Sequence, residues 1–146
     1  MRRRMLLLLV VATLAAGFAP APPPRSARVT GDLKEMQGAW VLASYNWEGQ
    51  SSRADIRFVL AGDRAKVDFG RDGTAEFVLS LDATVTPKRY VERGAGAAGG
   101  LEYRGIYRLE GDTLRVSCNY PGESPPGAFD GPGRGRALLT YMRQKP

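Results

Sequence analysis

From Gly38 to Arg143 apolar and polar side chains alternate with a period of two, interrupted by turns rich in glycine and aspartate, a pattern that predicts short antiparallel strands. The cleanest stretch sets Ala75, Phe77, Leu79 and Leu81 against Thr74, Glu76, Ser80 and Asp82. One face is therefore expected to be buried and the other wet. Ile56, Phe58 and Leu60 are in phase, turn at Ala61-Gly62-Asp63-Arg64, and return as Ala65, Val67 and Phe69. Leu101, Tyr103, Gly105, Tyr107 and Leu109 lead through Glu110-Gly111-Asp112 to Leu114, Val116 and Cys118, a strong antiparallel hairpin. A weaker strand is expected near Lys88 to Glu92 and a last one from Arg136 to Arg143. In the first strand Trp40, Leu42 and Ser44 are expected on one side and Val41, Ala43 and Tyr45 on the other. Before it, Asp32 to Gly38 reads as a short N-terminal helix, too short to be stable alone, that plugs an end of the sheet.

About eight short strands with hairpin-sized connections predict an all-β, antiparallel up-and-down barrel, whose closure removes sheet edges. Such a barrel is either filled by its own side chains or holds one small ligand. The segment from Tyr120 to Gly135, dense in proline and glycine, is expected to cross the surface or a barrel mouth as an irregular excursion.

The N-terminus changes the expected location. Met1-Arg2-Arg3-Arg4, the apolar run Met5 to Ala19 and the small residues at its end have the three parts of a secretory signal peptide. The run is shorter than the ~20 residues of a membrane-spanning helix, so no stable span is expected after cleavage. Residues 1–19 are assigned to the signal, 20–30 to a proline-rich linker and 31–146 to the barrel domain, expected to be extracytoplasmic, periplasmic or secreted. The formal charge of +6 is partly carried by the three arginines of the signal. The remaining basic residues are interleaved with Asp and Glu, without the clustering of a nucleic-acid footprint.

The residue inventory argues against an enzyme. The chain has no histidine, which removes imidazole bases and ligands, and its single cysteine, Cys118, excludes thiolate zinc sites and internal disulfides. Cys118 is in phase with Leu114 and Val116 and reads as a buried small hydrophobe. Asp63, Asp72 and Asp112 fall in expected turns, while Asp82, Glu102 and Glu110 are out of phase with the apolar positions and read as solvated. No catalytic residue, metal ligand or cofactor site is assigned.

Asp32-Leu33-x-x-Met36-Gln37-Gly38-x-Trp40-x-Leu42-x-Ser44, followed by Gly105-Ile106-Tyr107-Arg108-Leu109-Glu110-Gly111-Asp112-Thr113-Leu114-Arg115-Val116-x-Cys118, resembles a family of small secreted domains of unknown function that is expanded in planctomycete bacteria and considered lipocalin-like. The resemblance covers Asp32 to Lys145 and implies a lipocalin-like barrel outside the cytoplasm, with no activity to inherit. By analogy with lipocalins it implies that an arginine of the last strand, Arg143, covers Trp40, a cation on an aromatic face worth roughly 0.5–2 kcal/mol. Two functions follow as expectations. In one, a small apolar or amphipathic ligand is held between Trp40, Phe58, Phe77, Tyr103 and Tyr107. In the other, a filled barrel serves as a structural or protein-interaction module of the cell envelope, presenting Trp47 and the 120–135 segment to an envelope protein partner.

Overall fold

A computed structural model describes residues 29–52, 55–129 and 135–145. The expected signal peptide and nearly all of the expected linker lie outside these residues. A single helical turn, α1 (Asp32–Glu35), precedes nine strands: β1 (Gly38–Trp47), β2 (Gln50–Ser52), β3 (Arg57–Ala61), β4 (Arg64–Asp68), β5 (Thr74–Asp82), β6 (Arg89–Ala95), β7 (Glu102–Glu110), β8 (Thr113–Cys118) and β9 (Ala137–Arg143). Consecutive strands from β3 to β9 pair as antiparallel hairpins. β1 closes the ring by pairing with β3 on one side and β9 on the other. The result is an eight-stranded antiparallel barrel, with β2 as one short extra strand on the second half of β1. Among the described residues no helix is long and apolar enough to cross a membrane.

β1 departs from the expected simple alternation. It runs in register with β9 through Leu42, slips by one residue at Ala43, and resumes at Ser44. This bulge reverses which face each residue takes, so Trp40 before it and Tyr45 and Trp47 after it all turn inward. The expected grouping of Trp40 with Ser44, opposite Tyr45, is thereby corrected.

α1 stoppers one end of the barrel. Met36, just beyond the turn, is 2% exposed. Gln37 locks the turn to the β3–β4 hairpin by donating its side-chain amide to Gly62 O (2.8 Å) and accepting from Gly62 N (2.7 Å). On the far side of the mouth Asp32 Oδ2 accepts from Lys88 Nζ (2.7 Å) and from the Tyr107 hydroxyl (2.8 Å). The Lys88 contact leads in holding the Asp32 carboxyl below its ordinary range.

Trp40 sits beneath this stopper, fully buried. Its indole N–H donates to Met36 O (2.8 Å) and its ring stacks on Phe58, centroids 6.1 Å apart. The Arg143 guanidinium lies 4.3 Å from the Trp40 ring centroid. From there Arg143 donates to Glu35 O (2.6 Å), Gln37 O (2.7 Å) and Asp112 Oδ1 (3.1 Å). One arginine thus joins the helical turn, the first strand, the β7–β8 turn and the last strand. Asp112, expected only as a turn former, is its carboxylate partner and is also 3.1 Å from Lys145 Nζ.

The segment after β8 runs along the outer wall. Phe129 lies under the guanidinium groups of Arg108 and Arg115, 5.2 and 5.8 Å from its ring centroid. Ile106 and Ser117, paired outward-facing residues of β7 and β8, are fully buried on that same wall.

Candidate functional site: a cavity with one carboxyl

Eight strands make a ring that small side chains leave partly empty. β4 contributes Ala65 and Val67 to the interior, β8 contributes Val116 and Cys118, and β9 contributes Ala137. Between them and the larger residues lies a cavity of about 390 Å³, neither sealed nor a shallow surface. That volume lies within the range of small-molecule sites, which run from ~300 to ~1,000 Å³. Its apolar wall comes chiefly from Ile56, Phe58, Phe69, Phe77, Leu79 and Leu81. Met36 forms part of the floor at the α1 end, and Trp47 belongs to the wall toward the opposite end. The Trp47 ring meets Tyr120 edge to face, 4.9 Å between centroids.

Four of the five aromatic residues expected to surround a ligand line this cavity: Phe58, Phe77, Tyr103 and Tyr107. The fifth does not. Trp40 is enclosed beneath α1 by Phe58, Met36 and Arg143, and the bulge at Ala43 gives its expected place on the wall to Tyr45 and Trp47. Phe77 and Tyr103 meet at 6.3 Å across the β5 and β7 faces, and Phe58 meets Tyr141 edge to face at 5.0 Å.

Tyr90 shows how the wall is built. It pairs across the ladder with Gly105, and a Cβ at Gly105 would collide with the Tyr90 ring and with the carbonyl oxygen of Ser117. Glycine is required there because an aromatic ring occupies the space a side chain would take.

The sequence reading missed the most unusual group of the cavity, Glu92. On β6 it shares the inward face with Tyr90, and its ladder partners Leu79 and Tyr103 both line the cavity. Among the described residues Glu92 is the only formally charged side chain on the cavity wall. It keeps some accessible surface, but that surface faces the cavity, and the protein packed around the carboxyl governs its ionisation. Burial pushes its pKa up to about 7. Among the described residues no hydrogen bond or ion pair reaches its carboxyl.

The other titratable groups of the wall are weak acids that burial makes weaker. Tyr45, Tyr90, Tyr103, Tyr107 and Tyr141 are all raised, first by desolvation. The Cys118 thiol is raised for the same reason and is 8% exposed. These groups are neutral near pH 7, leaving Glu92 as the one described side chain of the wall that changes charge there. Among the described residues no cluster of three or more metal-binding side chains occurs.

Comparison with protein families, with characterised proteins and with solved structures matches nothing to this chain.

Proposed function

We propose that this protein is an extracytoplasmic, lipocalin-like binding barrel that holds a small apolar or amphipathic ligand in its interior. The observation that carries the reading is the space itself: about 390 Å³ walled mainly by aromatic and aliphatic side chains inside a closed ring. Burying an apolar ligand there would contribute roughly 25 cal/mol for each Å² removed from water. The competing reading, a filled barrel presenting Trp47 to a partner, is the less well supported, because Trp47 turns toward the cavity and its ring packs against Tyr120.

N-phenyl-1-naphthylamine, a neutral apolar fluorophore, tests the proposal. Saturable enhancement at one probe per barrel, excited by energy transfer from tryptophan, is expected, together with a co-purifying small molecule in native mass spectra of protein from its own host. Neither saturable probe binding nor a co-purifying molecule would leave the filled barrel as the better account.

A further inference from the structure

A wall of rings and aliphatic chains is sufficient for an apolar ligand, so a lone carboxyl on it calls for an explanation in terms of the ligand. A carboxylate in such surroundings is costly unless it is paired. The side chains on the opposite and adjacent strands offer it no cation: β3, β4 and β5 present only apolar groups to the cavity. β1, β7, β8 and β9 add the phenols Tyr45, Tyr103, Tyr107 and Tyr141 and the thiol Cys118, all neutral near pH 7. β6 adds only Tyr90 beside Glu92 itself.

We infer that the cavity selects ligands carrying a basic nitrogen on an apolar body, the ammonium pairing with the Glu92 carboxylate while the body packs against Phe58, Phe77 and Leu79. The inference rests on the proposed binding function and specifies its ligand class. The chemistry suits the site on two counts. An ammonium supplies the positive charge and the N–H donors that the carboxylate lacks, making a charge-assisted hydrogen bond. Tyr103, the ladder partner of Glu92, and Tyr141 place aromatic rings on the same cavity wall, where a cation is attracted to a ring face. A fatty acid would meet like charge at the same point and is disfavoured. Neither step is covalent, and no proton need leave the ligand.

The experiment uses three chains of equal length, octylamine, octan-1-ol and octanoate, titrated calorimetrically against the full barrel at about pH 8, where the amine is protonated and Glu92 ionised. The expected order is amine tightest and octanoate weakest, with the amine ahead of the alcohol by about tenfold or more, the scale of one charged hydrogen bond. Glu92→Gln should abolish that preference, so that the amine and the alcohol bind the variant about equally. A second measurement needs no variant. Octylamine affinity of the native protein should rise about tenfold from pH 6 to pH 8 as Glu92 loses its proton, while octan-1-ol affinity stays level. Equal binding of amine and alcohol, a preference that survives Glu92→Gln in a folded variant, or a level pH profile for the amine would overturn the inference while leaving the binding barrel intact. If none of the three chains nor the fluorophore binds, the inference and the binding function fall together.

Discussion

Replacing Glu92 by glutamine should make the barrel more stable at neutral and alkaline pH, and the size of the gain follows from the position of the group. An ordinary glutamate titrates near 4.5, whereas the cavity holds Glu92 at about 7. Between those values the folded protein binds a proton that the unfolded chain has released. Stability therefore falls as pH rises, at about 1.4 kcal/mol per pH unit. The loss begins above the unfolded value, is complete above the folded one, and accumulates to about 3 kcal/mol. Glutamine keeps the shape of the protonated acid and has nothing to ionise, so the variant should match the native protein near pH 4.5 and exceed it by about 3 kcal/mol at pH 8.

Urea unfolding followed by tryptophan fluorescence across this range reads the difference directly. Asp32, Asp82, Glu102 and Asp112 do not confuse it. Their folded values are lowered, so their contribution is present above the ordinary carboxylate range and is lost only on acidification below it. Parallel curves for the two proteins from pH 5 to pH 8 would refute the reasoning, because they would mean that the carboxyl is as well solvated in the barrel as in the open chain.

Two further substitutions test the frame around the cavity. Arg143→Ala removes a cation from the Trp40 face and three hydrogen bonds at the stopper, and should cost about 2 kcal/mol. The readouts are a lowered Tm and a red-shifted tryptophan emission; an unchanged melt would show that the stopper holds without it. Gly105→Ala forces a methyl group into the Tyr90 ring and the Ser117 carbonyl, and should cost about 3 kcal/mol. Part of that clash is with backbone, so trimming Tyr90 alone should not restore the urea midpoint, and a full restoration would place the strain on the ring only.

Alternation in the chain was enough to locate β5 and the β7–β8 hairpin, because there the inward phase carries no charged residue and the other is polar except at Val78 and Ile106. The same logic led β1 astray. A bulge is a local backbone choice at Ala43, a residue whose side chain is too small to signal which face it takes, so Tyr45 was expected on the side opposite Trp40. Glu92 was illegible for a related reason. In Arg89-Tyr90-Val91-Glu92-Arg93 both phases mix apolar and charged residues, and only the ladder to Leu79 and Tyr103 shows that the carboxylate faces inward. The phase of Tyr90 was the one available hint. Asp112 illustrates the limit in the other direction: its turn position was plain, but its partner lies across the mouth on β9.

The seam between β1 and β9 has a consequence for how the molecule comes into being. Its first strand finds one of its two neighbours in the ring only when the ninth arrives, and the guanidinium that fastens the helical turn sits on that same late strand. Until then β1 and β8 each expose an unpaired border beside a half-made bowl of rings, so assembly is governed by a contact spanning nearly the whole described chain. Such long-range closure belongs to slow folders, with times of milliseconds to seconds.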